Sequence, residues 1–278
     1  MHHGDLTGTA WEPALYEAFA DHRLRPGLDL MLRLPASAPR RIVDLGCGTG
    51  RLTALLAARF PAAAVVGIDH APDMLAVARE AGAAGARVEW REAYLRTWEP
   101  EGPCDLVFSN AALHWLPDHA GLWPRLIAAL APGGTLAVQM PLSWSLPSHR
   151  LMRETLALGG PGGQGIGPDP LRAALARPPV ADPAFYHDLL APHFAAVDVW
   201  STEYLQVLTG ADPVLEWVRA TGLRPVVESL APTDRDTFLA VYRERLREAY
   251  PRRPDGTTLY PFRRLFMVAA GKESHAPR

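Results

Sequence analysis

The stretch VDLGCGTG (43–50) places an acid, Asp44, near the end of an apolar run and follows it with Gly46, Gly48 and Gly50. A glycine-rich turn after a strand lets backbone approach a ligand and presents the N–H groups of the next helix to an anion. A dinucleotide and S-adenosylmethionine can both use such a turn. The dinucleotide fingerprint spaces its glycines G-x-G-x-x-G, whereas here they stand at alternate positions. A carboxylate at Asp44 repels a pyrophosphate but suits the α-ammonium of a methionine moiety. Asp69 closes a second apolar run, where a carboxylate can accept both ribose hydroxyls of either ligand. The helix starting near Arg51 can take the methionine carboxylate on its N-terminus. The plainer alternative is a tight turn in an unrelated α/β domain, against which the two acids and the flanking elements weigh.

These residues need strands and helices to position them. RIVDLG (41–46), AVVGID (64–69), RVEWRE (87–92), CDLVFSN (104–110) and GTLAVQM (134–140) read as strands. RLTALLAARF (51–60), PDMLAVAREA (72–81) and HAGLWPRLIAAL (119–130) read as the helices between them. Their alternation predicts a doubly wound α/β sheet. Residues 14–34 have helical spacing, with Pro26 marking a break between two short helices. Beyond Met140 the rhythm changes. GGPGGQGIGPDP (159–170) predicts a mobile loop, either a lid or a surface connection. VDVWSTEYLQVL (197–208) alternates as a strand, and helices are expected at 146–156, 213–221 and 234–250, with Asp212 as an N-cap. LYPFRRLFMVAAG (259–271) supplies the last strand. The organisation expected is one domain, 1–278: an N-terminal helical segment (11–34), a cofactor-binding core (35–140), helical inserts at 141–195 and 209–258 forming an acceptor-side cap, and the final strand at 259–271.

The chain has 278 residues, 48% of them apolar, and a formal net charge of −2 with no basic block, which disfavours a nucleic-acid partner. MHHGDLTG carries no signal-peptide pattern, and no apolar run approaches about 18 residues, so no membrane span is expected. Two cysteines, Cys47 and Cys104, make neither a disulfide framework nor a zinc site. A cytoplasmic protein, monomeric or weakly homo-oligomeric and without a metal, is expected.

VDLGCGTG, GIDHAPDML (67–75), the segment around Tyr94 and FSNAALHWLPDH (108–119) resemble the class I methyltransferases. More narrowly, the chain is similar to the bacterial trans-aconitate 2-methyltransferases. That likeness extends over WEPALYEAFADHRLRP (11–26), PSHRLMRE (147–154), DPVLEWVRATGLRP (212–225) and YPFRRLFMVA (260–269). The resemblance implies a seven-stranded sheet with a reversed last strand, S-adenosylmethionine as donor and a small polycarboxylate as acceptor. It assigns Asp44, Gly46, Gly48, Gly50, Asp69 and Asn110 to the cofactor, with His70, Met74, Tyr94 and Leu95 from the matching stretches. Trp11, Tyr16, Arg23 and Arg25 match the N-terminal segment that such proteins place over the cofactor. Tyr94 stands where the family carries Asp, and His114 where it commonly carries Gln.

A carboxylate acceptor has a pKa of roughly 4 and needs no base; a hydroxyl acceptor needs one, and His114 is the candidate. His114 can equally hydrogen-bond the acceptor or pack on Trp115. Arginines suit carboxylates, so Arg23, His114, Trp115, Arg224, Tyr260 and Arg263 form the acceptor set. Arg150, Arg264 and His149 stand beside it. Strand alternation sends Arg263 and Arg264 to opposite faces, so at most one points inward. SNAAL after the fourth strand is not an N-P-P-Y turn, which disfavours DNA or protein amines. A methyltransferase for another small acceptor, a non-catalytic donor-binding protein and a dehydrogenase are the alternatives.

Overall fold

Short β-branched runs suit strands buried on both faces, and they build the centre of the sheet. The computed structural model describes residues 20–82 and 88–274, with side chains over 24–81 and 88–274. Trp11, Tyr16 and the side chain of Arg23 lie outside them. In chain order come α1 (Ala20–Leu32), β1 (Arg41–Leu45), α2 (Arg51–Arg59), β2 (Ala64–Asp69), α3 (Pro72–Gly82), β3 (Val88–Glu92) and β4 (Cys104–Asn110). A 3-10 turn (Leu113–Trp115), α4 (His119–Ala128) and β5 (Leu130–Pro141) follow. Then come α5 (Pro147–Leu158), α6 (Asp169–Ala174), α7 (Pro183–Leu190), β6 (Phe194–Leu208), α8 (Pro213–Arg219), α9 (Arg224–Ser229), α10 (Pro232–Ala249) and β7 (Thr258–Lys272).

The seven strands lie in the order β3-β2-β1-β4-β5-β7-β6. The pairs from β3 to β5 are parallel, while β7 runs antiparallel to β5, with Leu136 opposite Ala269 and Pro141 opposite Arg264. This is the α/β sheet with the reversed last strand that the resemblance implies. Asp105 Oδ2 accepts the N–H groups of Arg40 and Arg41 at 2.8 and 2.9 Å, fixing where β1 enters beside β4. Pro26 does not break its helix. A Cβ on Gly27 would meet Leu52 Cδ1 at 2.3 Å, so close packing of α1 on α2 holds the helix across the missing hydrogen bond.

The chain divides into two compact units. The sheet unit takes Ala20–Pro141, Pro179–Thr202 and the end from Arg264; the helical unit takes Leu142–Pro178 and Glu203–Arg263. Ile42, Leu45, Phe108, Trp123 and Phe266 are fully buried in the sheet unit, at about 1.5–3 kcal/mol per large side chain. The helical unit has its own apolar cluster around Trp217, Phe238, Tyr242 and Tyr260. In α10, Phe238, Tyr242 and Leu246 recur every fourth residue and bury one stripe.

Two local expectations take a more specific form here. Within the glycine-rich stretch 159–170, residues 161–165 and 168–170 are exposed while Ile166, with Leu171 just beyond the stretch, enters the cluster, and Arg172 Nη1 donates to the Ile166 carbonyl at 2.9 Å. Glycine and proline shape its turns, but two apolar anchors hold it. Asp212 is the N-cap of α8 as expected, its carbonyl accepting Glu216 N–H at 3.0 Å, though its side chain does not cap the helix. Its carboxylate takes Arg247 Nε at 2.7 Å and lies 3.3 Å from Arg243 Nε.

Candidate active site

Parallel register brings the carboxyl ends of β1, β2 and β4 together, with Asp44 opposite both Gly67 and Phe108. The strand order reverses between β1 and β4, the place where open α/β sheets bind ligands. Asp69 is fixed there by two backbone donors. Gly48 N–H donates to its Oδ2 at 2.8 Å, and Ala71 N–H to its Oδ1 at 3.0 Å. Each oxygen keeps capacity for a hydroxyl. Two of the turn's glycines are needed for different reasons. At Gly46 (φ +76°) a Cβ would sit 2.1 Å from Ala112 Cβ, whereas at Gly48 (φ +54°) it would meet nothing within 4 Å. Gly46 is therefore a packing requirement, and Gly48 leaves open space above the turn. Gly50 directly precedes α2.

Asp44 is 2% exposed, and its Oδ2 accepts from Thr53 Oγ1 at 2.6 Å. Burial pushes its carboxyl up to about 7; the Thr53 hydrogen bond opposes that and the charge of Asp69 adds to it. Cys47, between them, has its thiol pushed far up by burial and then by both acids, so it fills space and does not react.

Residues in the turn fit S-adenosylmethionine. α2 has no side-chain cap and no acid in its first turn, leaving its positive end to a carboxylate. Asn110 Oδ1 at the end of β4 is buried without a hydrogen-bond partner among the described residues. Two carboxylates bordering the turn suit a zwitterionic tail and oppose a pyrophosphate.

The other expected cofactor residues are more varied. His70 Nδ1 lies 3.5 Å from Asp69 Oδ1, and its ring is 5.7 Å from that of Tyr94. Tyr94 is 61% exposed. Leu95 borders the turn, 3.6 Å from where a Cβ on Gly46 would stand. Met74 is a core residue: helical spacing turns Met74, Leu75 and Ala78 inward together.

On the acceptor side of the sheet unit, β4 leads through Ala111, whose φ of +55° is unusual for a side chain, into the 113–115 turn. That turn holds His114 and Trp115, both half-buried, with rings 4.8 Å apart. Of the β7 arginines, Arg264 is 4% exposed and donates from Nη1 to Gln139 Oε1 at 3.3 Å. Arg263, the one expected at the acceptor, is exposed and pairs with Glu203 at 3.7 Å, on the opposite side of the pleat from Arg264. Gln139 Nε2 is buried without a partner among the described residues. Arg25 is exposed on α1.

In the helical unit, Tyr260 is fully buried, and its hydroxyl lies 3.0 Å from Ser148 Oγ. It is a core residue and not an exposed recognition group. His149 bridges Ser143 Oγ at 3.0 Å and Ser148 Oγ at 3.1 Å; burial, then the charge of Arg153, pushes it down to about 4. Arg224 is held by Glu228 at 2.9 Å and Arg150 by Glu154 at 2.7 Å, each within one helix. A substrate carboxylate would have to compete with those acids. Sequence reasoning missed Thr53, Gln139 and the strain at Ala111. Only Gln139 left a signal, a polar residue inside the apolar run TLAVQM.

Comparisons with known proteins identify the family and the fold. Residues 42–134 match the family described as a methyltransferase domain. The chain is 48% identical over 261 residues to the trans-aconitate 2-methyltransferase of Azoarcus sp., covering 93% of this chain and 98% of that one. It is 49% identical over 259 residues to the enzyme of the same name from Methylobacterium radiotolerans, covering 93% and 97%. Among solved structures it is similar to the Bacillus subtilis YcgJ protein, with a TM-score of 0.56, 12% identity, and 90% of this chain and 100% of that chain covered. It is also similar to phosphoethanolamine N-methyltransferase 2 of Haemonchus contortus in complex with S-adenosyl-L-methionine, with a TM-score of 0.52 and 18% identity. That match covers 89% of this chain and about half, 53%, of the worm enzyme.

Proposed function

The chain belongs to the trans-aconitate 2-methyltransferases, and from that membership we propose how its residues carry the reaction out. It is an S-adenosylmethionine-dependent O-methyltransferase that forms a methyl ester of trans-aconitate. The observation that carries this is the extent of the likeness. It covers 93% of the chain and so includes the helical unit as well as residues 42–134.

S-adenosylmethionine supplies, when bound, a methyl group on a sulfonium. Asp69 binds its ribose hydroxyls, Asp44 its α-ammonium and the N-terminus of α2 its carboxylate. Asn110 offers a buried acceptor beside them, and His70, Tyr94 and Leu95 line the adenine side. A trans-aconitate carboxylate has a pKa of roughly 4, so it is already a nucleophile at neutral pH and no general base is required. Catalysis then rests on alignment and exclusion of water. His114 hydrogen-bonds the acid on its turn beside Trp115, and Arg264 binds one of its carboxylates. Burial supports Arg264 over Arg263, because a guanidinium withdrawn from water meets carboxylates with little screening.

The protein works on a small molecule, without nucleic acid, as a cytoplasmic monomer or weak homo-oligomer. The net charge of −2 supports this, as does the absence, among the described residues, of a helix long and apolar enough to cross a membrane. Titration of the purified protein with S-adenosylmethionine, followed by mass spectrometry of trans-aconitate, cis-aconitate, citrate and isocitrate reactions, tests the assignment. Donor binding and a monomethyl ester of trans-aconitate are expected. Binding of NAD without S-adenosylmethionine, or donor binding with no ester formed, would overturn it.

A further inference from the structure

The turn carrying His114 is tied to a buried side-chain chain that plays no part in the chemistry above. His119, first residue of α4, is 8% exposed and uses both ring nitrogens. Its Nε2 lies 3.1 Å from the Leu113 carbonyl, and its Nδ1 lies 2.6 Å from the Tyr186 hydroxyl on α7. A carbonyl only accepts, so Nε2 bears the proton and Nδ1 accepts from Tyr186. The Tyr186 oxygen in turn accepts Ala181 N–H at 3.0 Å. Every bond therefore has one direction: Ala181 to Tyr186, Tyr186 to His119, His119 to Leu113.

Packing fixes the same groups. Trp123 stands 4.8 Å from the His119 ring and 5.0 Å from the Tyr186 ring, and both Trp123 and Tyr186 are fully buried. Burial pushes His119 down, against the raising effect of its backbone hydrogen bonds, and pushes Tyr186 up to about 12. An apolar pair would fill this volume without the cost of desolvating polar groups. What the polar pair adds is direction at the end of the turn: the Leu113 carbonyl takes the His119 ring and Leu116 N–H at 3.0 Å, and the Leu116 backbone also hydrogen-bonds His119.

We propose that His119 and Tyr186 are positioning residues that hold the 113–115 turn, and through it set where His114 meets the acceptor. The inference rests on the placing of His114 at the acceptor in the function proposed above. Segment 179–202 thereby contributes to acceptor geometry through Tyr186 and Ala181.

Three variants of the full chain test it: His119→Leu, His119→Gln and Tyr186→Phe. S-adenosylmethionine affinity should stay within twofold of wild type in all three. Turnover of the acid found in the tricarboxylate panel should fall at least tenfold in His119→Leu. A glutamine amide can still donate to Leu113, so His119→Gln should recover to within threefold of wild type. Tyr186→Phe should lose three- to tenfold. Folded variants with wild-type kcat and KM for the acid overturn the proposal, as does a loss of donor affinity equal to the loss of turnover. If His119→Leu does not fold, wild-type kinetics in Tyr186→Phe are sufficient to overturn it. Nitrogen NMR of His119 reads the bond chain without any turnover. In the neutral ring a proton on Nε2 and none on Nδ1 is expected, and the opposite tautomer sinks the proposal. A wild-type protein that esterifies nothing would remove the acceptor assignment, while the NMR result would still judge the bond chain.

Discussion

Asp44 and Asp69 are both acids at strand ends, yet the fold surrounds them differently. Two backbone N–H groups hold the Asp69 carboxylate in place, whereas burial holds Asp44 up at about 7. A raised acid must lose its proton before it can pair with an ammonium. Donor affinity should therefore be weak at pH 6, strengthen through pH 7 and level off above pH 8. Calorimetry in two buffers should find proton release on binding near pH 6.5. Asp44→Asn should abolish the pH dependence and weaken binding about tenfold, roughly 1.4 kcal/mol. Constant wild-type affinity from pH 6 to 8.5 would remove Asp44 from the ammonium. His149 has the opposite sign. Its folded pKa of about 4 lies below the unfolded 6.5, so its contribution is complete above pH 6.5 and lost as pH falls toward 4. The loss at pH 5 is on the order of 2 kcal/mol. His149→Gln should lose less stability between pH 7 and pH 5 than wild type in urea melts, and equal losses would refute the assignment. Both acids were legible in the sequence because the turn motif locates them. The raised carboxyl of Asp44 was not, since it depends on Thr53 and on burial that only the folded chain supplies.

Strands and their ends show where periodicity informs and where it stops. Apolar runs located β1 to β5 within a few residues, because buried parallel strands are written in contiguous β-branched stretches. Alternation also stated that Arg263 and Arg264 diverge, but choosing the inward one needed the folded chain, in which Arg264 is buried and Arg263 exposed. Arg264→Met should raise the KM for trans-aconitate at least tenfold, about 1.4 kcal/mol, with donor affinity unchanged. Arg263→Met should leave both within twofold in steady-state kinetics. Equal effects in the two variants would mean that the pleat of β7 does not select. The exit from β4 was illegible, since alanine gives no sign of a left-handed backbone. With Ala111 at φ +55°, Ala111→Gly trades relieved strain against unfolded-state entropy and should change stability by less than about 0.5 kcal/mol. A β-branched side chain is worse there, and Ala111→Val should cost about 2 kcal/mol in denaturant melts. A glycine variant destabilised by more than about 1 kcal/mol would contradict that backbone. Short helices such as α9 escaped the sequence because six residues carry too little periodicity to read.

At the scale of the whole molecule, the acceptor's ionisation and the donor site's ionisation make separate demands on the rate. A trans-aconitate carboxylate is charged throughout the neutral range, so no group has to collect its proton. In the proposed mechanism His114 serves by hydrogen bonding and not as a base. Asp44, placed there at the donor's ammonium, would affect only how much donor is bound, an effect that saturating S-adenosylmethionine removes. The two contributions can be separated by measuring kcat and the donor's KM across the same pH series. With donor and trans-aconitate saturating, kcat should be level from about pH 6 to 8.5, while the donor's KM falls as pH rises through 7. Replacing His114 with glutamine, the residue common at this place in the family it resembles, keeps a hydrogen-bond donor and removes the base. That variant should hold kcat within about threefold of wild type across the series. A kcat that declines below pH 6.5 in the wild type and collapses in His114→Gln would instead require a base, and would move the acceptor from a carboxylate to a hydroxyl.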